Sequence, residues 1–386
     1  MNEKNEKNEN SGRKFSVAVI PGDGIGQEVI KEAQKAVDAA ASLEGASFEW
    51  VGYPFGAAHY LKTGETLPKS AIDELKQHSA ILLGAVGDPA VKPGILEHGI
   101  LLALRFVFDQ YVNLRPSMSL PNVPTPVPLG GGKIDSVVVR ENTEDLYMGL
   151  GAIAQEGELE ATINLERGKY SLRGHLGLLI SPHVPFAAQI ALNSGGGVAR
   201  ITRYACETAR KRGEKRVTIV SKSNAAPALY GFFEESAGKI ISDEYPEITG
   251  EVVNVDALCY HLVRQPASYG VLLCPNLFGD IISDLQAGLA GGMGIAAGAN
   301  IGEGLSMFEP VHGSAPDIAG TGKANPIAAI LSGALMLRHL GLERSASAIE
   351  NAVSGYMAAS QRRERPFEFS GEASCSMVGD AVVKRI

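Results

Sequence analysis

The sequence predicts an α/β protein of about two domains, built on a sheet with substantial parallel content. The first observation behind this prediction is the length of 386 residues, which is roughly that of two domains. The second is that apolar runs of strand length alternate with longer runs of helical periodicity. The third is the start of the chain, where the apolar run 15–20 leads into the turn PGDGIG and then into a helical pattern at about 27–41.

Later elements repeat this alternation. A second apolar run, 80–85, is a predicted strand that ends in the loop GAVGDP. A helical pattern covers 198–212, the strand VTIVS follows it, and the alternation continues to Leu289. Residues 151–197 differ, because they are short apolar runs separated by glycines.

Composition and the chain terminus exclude several classes of protein. Residues 1–14 are polar, with a repeated NEK unit, so we expect a disordered tail rather than a signal peptide. No apolar run reaches the roughly 18 residues that cross a bilayer, so we expect no membrane partner. The net charge of -8 argues against general affinity for nucleic acid. The four cysteines form no CxxC pattern, which favours reduced thiols and a cytoplasmic protein.

Several common motifs are absent. Gly22, Gly24 and Gly26 have the wrong spacing for the Rossmann fingerprint, which needs its third glycine three residues after the second. The Gly-Lys pairs at 132–133 and 322–323 lack the Ser or Thr of a P-loop. The chain also has no HExxH zinc motif and no GxSxG nucleophile motif.

Two acidic residues form a candidate metal site. Asp280 and Asp284 lie four apart in the helical pattern NLFGDIISDL, so their carboxylates share one face. Like charges at this spacing repel each other unless a cation joins them, and oxygen ligands suit Mg2+ or Mn2+. The alternative is a pair of solvated surface acids, or a helix cap with one surface acid.

Basic residues form a candidate anion site. Arg140 closes the apolar strand SVVVR, and burial of an unpaired guanidinium is costly. Arg105 and Arg115 flank another apolar segment, and guanidinium groups match carboxylates in geometry. Lys222, just after the strand VTIVS, is a further candidate. The alternative for each arginine is a salt bridge to a neighbouring acidic residue.

In order, these segments resemble the β-decarboxylating dehydrogenases, the family that acts on isopropylmalate, isocitrate, homoisocitrate or tartrate. The resemblance implies a two-domain fold with a mixed central sheet that is not a Rossmann fold. It places a cofactor domain at 15–110 plus 291–386, and a substrate, metal and dimerisation domain at 111–290 with an extended clasp arm at about 151–197. The runs that carry it are PGDGIG, LLGAVGDP, LLALRFVFDQYVNLRP, VVVRENTEDLYMG, IVSKSNA, VNVDAL, NLFGDIISDL and MFEPVHGSAPDIAGTGKANPIAA.

The same resemblance implies roles for site residues. The substrate carboxylates would be held by Arg105, Arg115 and Arg140. Asp280 and Asp284 would bind Mg2+ or Mn2+ together with Asp256 of a second subunit, which requires a homodimer. Two further residues would move protons: Lys222, also contributed by the second subunit, would help take the proton of the C2 hydroxyl, and Tyr147 would protonate the carbon left by CO2.

The resemblance also implies NAD as the cofactor. Asp317 would accept hydrogen bonds from the ribose hydroxyls and would repel the 2′-phosphate of NADP. NADP-using relatives tend to carry Lys and Tyr at positions 317 and 318, where this chain has Asp and Ile. Asn224 lies in the loop that reaches the nicotinamide side. The other residues placed around the nucleotide are His312, Gly313, Ser314, Ala315, Ile318 and Asn325.

The segment HGILLALR indicates which side chain the substrate carries. Isocitrate-using relatives place Ser and Asn six and four residues before the first arginine, where this chain has Gly99 and Leu101, with Leu102 adjacent. An apolar wall favours an isopropyl group over a third carboxylate, so the predicted substrate is 3-isopropylmalate of leucine biosynthesis. Tartrate or D-malate, and isocitrate or homoisocitrate, remain alternatives. A non-catalytic regulatory subunit is the alternative from another class, although such subunits usually lose the metal aspartates or the lysine.

Overall fold

The computed structural model describes residues 12–166 and 170–386. Residues 1–11 of the predicted tail, 1–14, lie outside the described part of the chain. Its last residue, Lys14, pairs with Ser47 in the sheet. The described residues form two compact units, one of residues 12–100 with 307–386 and one of residues 101–166 with 170–306.

The strands are β1 Lys14–Gly22, β2 Ser47–Gly52, β3 Ala80–Ala85, β4 Val112–Met118, β5 Asp135–Glu141, β6 Leu150–Ala154, β7 Glu158–Glu166, β8 Ser171–Leu179, β9 Phe186–Ile190, β10 Arg216–Ser221, β11 Thr249–Asn254, β12 Val271–Cys274, β13 Ala297–Ile301 and β14 Met307–Pro310. The α-helices are α1 Gly26–Ala41, α2 Ala57–Thr63, α3 Lys69–Leu75, α4 Ala103–Val107, α5 Gly195–Arg212, α6 Phe232–Glu244, α7 Val255–Arg264, α8 Asn276–Ala290, α9 Ile327–His339, α10 Glu343–Ala359 and α11 Cys375–Val383.

Shorter helical turns complete the structure. Two are π-helical, Glu97–Leu102 and Pro227–Gly231. The 3-10 turns are Ser42–Glu44, Asp145–Met148, Pro266–Ser268, Met293–Ile295, Arg362–Glu364 and Phe367–Phe369.

The first unit contains a parallel sheet in the order β14-β3-β1-β2. β3 is buried along its whole length and β1 is buried over residues 17–20, as expected for parallel strands covered on both faces, whereas β2 at the edge is partly exposed. Helices α1, α9, α10 and α11 pack against one another in this unit. β3 has the predicted bounds, and β1 and α1 lie within two residues of theirs.

The turn PGDGIG packs tightly against neighbouring backbone in the first unit. Gly22 and Gly24 both have positive φ, where a side chain is strained. A Cβ on Gly22 would lie 1.9 Å from the carbonyl oxygen of Ala85, and one on Gly24 would lie 2.0 Å from that of Ser314. These two glycines therefore permit the close backbone packing of this turn.

The second unit contains a mixed sheet in the order β11-β10-β12-β5-β4-β13. β4 is antiparallel to both of its neighbours, whereas the other pairs are parallel. Alternate side chains of β5 point to opposite faces: Val137 and Val139 pack with α5 and α6, and Val138 packs with α7 and α8. The mixed sheet implied by the family resemblance is thus confirmed. β13 lies in this unit because it pairs with β4, so the unit ends at 306 rather than at the predicted 290. It also begins at 101 rather than at the predicted 111.

The segment predicted as an arm forms two antiparallel strand pairs. β6 pairs with β9, and β7 pairs with β8 along their whole length. Apolar side chains on this arm are exposed, including Ile153 at 71% and Leu179 at 66%. No helix in the described part of the chain is both long and apolar enough to cross a membrane.

Candidate active site

The end of β5 and the helix α8 bring three predicted site residues together. Arg140 donates from Nη1 to Oδ1 of Asp280 at 2.6 Å. Tyr147 donates its hydroxyl to the other oxygen, Oδ2, of Asp280 at 2.7 Å. The guanidinium of Arg140 also lies over the Tyr147 ring, 4.9 Å from its centre. One carboxylate thus holds both a predicted substrate-binding arginine and the predicted proton donor.

The strand β4 adds a second arginine to this group. Arg115 donates from Nη1 to Oδ1 of Asp284 at 3.1 Å and to the hydroxyl of Ser283 at 2.7 Å. Its Nη1 also lies 3.5 Å from Oδ1 of Asp280. The two aspartates, four residues apart in α8, therefore face the same cation, as the helical spacing predicts.

The third predicted arginine lies in α4. Arg105 is 4% exposed, and its charge lowers the pKa of both Arg115 and Asp280. The three predicted arginines therefore share one electrostatic neighbourhood with Asp280. Leu102, just before α4, is buried, and Leu101 is half-buried.

The two aspartates of α8 differ in their electrostatics. Burial raises the pKa of Asp280, but the charges of Arg140 and Arg115 outweigh burial, so the net pKa is lowered. Burial also raises the pKa of Asp284, and Arg115 offsets this only in part. Burial and the hydrogen bond to Asp280 raise the pKa of Tyr147. Asp280 is thus a carboxylate at neutral pH, beside a phenol that keeps its proton.

Lys222 and Asp256 form a separate pair. Nζ of Lys222 donates to Oδ1 of Asp256 at 2.8 Å, and this bond lowers the pKa of Asp256. Lys222 follows β10, and Asp256 lies in the first turn of α7. Asn224 is exposed in the turn after Lys222, where the amide of Ala226 donates to the carbonyl of Lys222 at 3.0 Å.

The aspartates of α8 provide suitable ligand atoms for a hard divalent cation, but the two of them do not make a complete site. Among residues 12–166 and 170–386, no three His, Cys, Asp or Glu side chains are grouped in a way that could hold a metal. Asp256 therefore does not complete a site with Asp280 and Asp284 within one chain. Asp280 and Asp284 supply oxygen donors only, with side chains 35% and 54% exposed, which is the chemistry that Mg2+ and Mn2+ prefer.

The predicted nucleotide residues lie in and after the loop that follows β14. Burial lowers the pKa of His312, and its Nε2 is buried with no hydrogen-bond partner in the described part of the chain. The carbonyl of Ser314 accepts from the amide of Ile25 at 2.8 Å, which ties the loop to PGDGIG. Asp317 is exposed, and the amide of Ile318 donates to the carbonyl of Ala315 at 3.1 Å.

Two other residues in this loop region differ in their contacts. Asn325 donates to Oε2 of Glu368 at 2.8 Å, so its amide group already has a protein partner. Gly313 is exposed, with open space where a Cβ would lie. The buried imidazole nitrogen of His312, which has no partner in the described part of the chain, and the exposed carboxylate of Asp317 are suited to hydrogen-bond the polar groups of a nucleotide.

Several residues that hold this arrangement in place do not stand out in the sequence. Asn276, the first residue of α8, accepts from Nε of Arg140 at 2.9 Å through both its side-chain and its backbone oxygen. Asp145 accepts from the amide of Leu277 at 2.9 Å. The polar residue Asn276 after Pro275 suggests a helix start, but Asp145 is 132 residues away from its partner. Only the fold brings them together.

Comparisons with known proteins point to one family. A family model described as isocitrate/isopropylmalate dehydrogenase matches residues 16–382. A 3-isopropylmalate dehydrogenase of Streptomyces avermitilis is 45% identical over 377 residues, covering 97% of this chain and 99% of the relative. One of Thermobifida fusca is 42% identical over 380 residues, with the same coverage. The crystal structure of an isocitrate dehydrogenase from Methylococcus capsulatus matches with a TM-score of 0.81 and 34% identity, covering 96% of this chain and 99% of that one.

Proposed function

The chain belongs to the isocitrate/isopropylmalate dehydrogenase family, and on that premise we propose that it oxidises 3-isopropylmalate with NAD and releases the β-carboxylate as CO2. This reaction belongs to leucine biosynthesis. The observation that carries the proposal is the group of Arg115 and Arg140 beside Asp280 and Asp284. Arginine side chains that can bind carboxylates thus lie next to carboxylate oxygens that can ligate a divalent cation.

The arginines bind the dicarboxylic acid. Arg140 is 1% exposed and has one buried nitrogen, Nη2, with no hydrogen-bond partner among the described residues. A buried donor without a partner is costly, and a substrate carboxylate would satisfy it. Arg105 and Arg115 hold the second carboxylate in this proposal.

Asp280 and Asp284 hold Mg2+ or Mn2+ in the proposal, together with Asp256 of the partner subunit in a homodimer. When bound, the cation acts as a Lewis acid on the C2 oxygen of the substrate. The lowered pKa of Asp280 keeps its carboxylate ionised and ready to bind a cation at neutral pH. Arg140 and Arg115 balance the charge of the two aspartates before the cation arrives.

Two residues of the chain move protons. Lys222 of the partner subunit takes the proton of the C2 hydroxyl, and NAD would supply the acceptor for the hydride of C2. Tyr147 then delivers its hydroxyl proton to the carbon from which CO2 departs. Because its pKa is raised, Tyr147 is fully protonated before the reaction, as an acid of this kind must be.

NAD supplies the hydride acceptor, and the loop after β14 binds it in this proposal. The exposed carboxylate of Asp317 accepts hydrogen bonds from the ribose hydroxyls and repels a 2′-phosphate. His312 presents a buried neutral imidazole to the adenosine half, since burial lowers its pKa.

The segment before Arg105 supports an apolar substituent on the substrate. Leu101 and Leu102 offer no hydrogen bond to a third carboxylate. Position 99, where isocitrate-using relatives place Ser, lies against Thr66: a Cβ on Gly99 would be 2.4 Å from Oγ1 and 2.7 Å from Cβ of Thr66. A serine at position 99 would require Thr66 to move. This chain therefore lacks the serine that meets the third carboxylate in isocitrate-using relatives.

A panel of kcat/KM values tests the proposal. The purified chain is assayed alone with NAD, Mg2+ or Mn2+, and each of 3-isopropylmalate, D-malate, tartrate, isocitrate and homoisocitrate. We expect 3-isopropylmalate to have the highest kcat/KM by at least about tenfold, since each buried methyl group contributes roughly 1 kcal/mol. A higher value for another acid would reassign the substrate. No turnover of any acid would support a regulatory subunit instead.

A further inference from the structure

Arg140 is held on two sides by helix α8. Its Nε donates to both the side-chain and the backbone oxygen of Asn276 at 2.9 Å, and Asn276 is 1% exposed. The side-chain nitrogen of Asn276 donates in turn to the carbonyl oxygen of Glu144 at 3.0 Å. Asn276 therefore joins the end of β5, the loop that precedes Tyr147, and the helix that carries Asp280.

Gly279 forms the second support. A Cβ at this position would lie 2.5 Å from Cγ and 2.6 Å from Cβ of Arg140. These atoms are the stem of a fully buried side chain, so they cannot swing into solvent. The stem of Arg140 therefore packs directly on the backbone of α8, and only glycine permits that approach.

The result is a guanidinium with each nitrogen in a defined role. Nε is bound by Asn276, Nη1 is bound by Asp280, and Nη2 is buried with no hydrogen-bond partner in residues 12–166 and 170–386. Because a guanidinium is planar, two bound nitrogens fix the direction of the third.

We propose that Asn276 and Gly279 are positioning residues that orient Arg140 so that Nη2 is directed at a carboxylate of the hydroxy acid. This inference rests on the proposed function, because it takes Arg140 as a substrate ligand. Neither residue touches the substrate; both act through Arg140. Since the carboxylate is bound in substrate and transition state alike, loss of either support raises KM and Kd more than it lowers kcat.

Two variants and two matched controls test this. Asn276→Ala removes the side-chain acceptor, and Gly279→Ala pushes against the stem of Arg140. Gln286→Ala is the control for the first, because Gln286 is also a buried amide of α8 that bonds to β5, at Ser136 Oγ 2.8 Å away. Gly288→Ala is the control for the second, because a Cβ on Gly288 meets nothing within 4 Å.

The readouts are KM and kcat with NAD and metal, the melting temperature, and the Kd of the hydroxy acid measured by calorimetry without NAD. We expect Asn276→Ala and Gly279→Ala to raise KM and Kd by about tenfold, and kcat to change by less than about threefold. The controls should keep KM within about twofold of wild type, whatever their melting temperatures. The melting temperatures show whether each variant is folded in the assay, and KM and Kd are compared at a temperature below the melting transition of every variant.

Unchanged KM and Kd in both variants, or an equal rise in the controls, would overturn the positioning role. Failure of the proposed function has a different signature. In that case wild type prefers another acid of the panel, and the four variants are then compared with that acid. The Kd measurement needs no turnover, so it decides the role of Asn276 and Gly279 independently of the reaction.

Discussion

Arg140 and Asp280 are joined by a hydrogen bond of 2.6 Å from Nη1 to Oδ1. This contact connects the arginine proposed to bind substrate to the aspartate proposed to bind metal. The charge of Arg140 helps to lower the pKa of Asp280, so the carboxylate stays ionised. Binding of the acid and binding of the cation are therefore expected to be coupled through this pair.

Asp280→Asn should remove most activity and preserve the fold. The amide cannot supply the negative charge that holds a cation, and we expect kcat/KM to fall by at least about a hundredfold. Circular dichroism should stay unchanged, because Asn276 still holds Arg140. Asp243→Asn, at an exposed position of α6, is the control. Near-normal turnover of Asp280→Asn at saturating metal would defeat the metal assignment.

The stability of the protein should fall as the pH rises from about 5 to 8. Burial, and then the neighbouring Glu144, raise the pKa of Glu141 to about 7. The folded pKa lies above the unfolded value, so the stabilisation is complete below pH ~4.5 and is lost as the pH rises through ~7. Melting temperatures between pH 5 and pH 8 measure this effect.

Glu144→Gln is the variant that tests the cause of this pH dependence. Its amide can still accept from the backbone nitrogen of Ser194 and can donate to the Ser194 hydroxyl, two of the groups that Glu144 contacts, at 2.7 and 2.6 Å. Without the Glu144 charge, the pKa of Glu141 should fall and the pH profile should flatten. A profile as steep as that of wild type would show that this pair is not the cause.

Asp317→Lys should change the cofactor preference. Replacing a carboxylate with an ammonium removes acceptors for the ribose hydroxyls and attracts a 2′-phosphate. We expect the ratio of kcat/KM for NAD to that for NADP to fall by about tenfold or more, which corresponds to about 1.4 kcal/mol. Asp243→Lys controls for net charge. An unchanged ratio would count against a ribose contact at position 317.

Gly24→Ala should destabilise the first unit, whereas Gly313→Ala should not. Gly24 has φ +51°, and a Cβ there would lie 2.0 Å from the carbonyl oxygen of Ser314. We expect a loss of about 2 kcal/mol or more in unfolding free energy. Gly313 is open, so its substitution should affect only NAD binding. Equal stability of the two variants in urea would contradict this difference.

Much of the fold could be predicted from local patterns. The apolar run 80–85 marks β3, and the four-residue spacing of Asp280 and Asp284 places them on one face of α8. Arg140 at the end of an apolar strand predicts a buried cation that needs an anion, and Asp280 is that partner. These features depend on neighbours in sequence, so periodicity and charge reveal them.

The contacts that hold the site residues in place could not be predicted from local sequence patterns. Asp145, whose own φ is 61°, caps α8. Asn276 contacts Arg140, which lies in a strand 136 residues earlier in the chain. Neither contact leaves a signal in the local sequence, because each depends on how β5 and α8 pack. The pairing of Lys222 with Asp256 is likewise a contact between the end of β10 and the start of α7.

Subunit complementation tests the shared metal site directly. Asp256→Asn and Asp280→Asn are each expected to be inactive, since each removes one carboxylate of every site. After the two are unfolded together and refolded, half of the dimers should be mixed, and each mixed dimer should contain one intact site. We therefore expect recovery of about a quarter of wild-type activity. Mixed dimers that are present by mass spectrometry but inactive would contradict it.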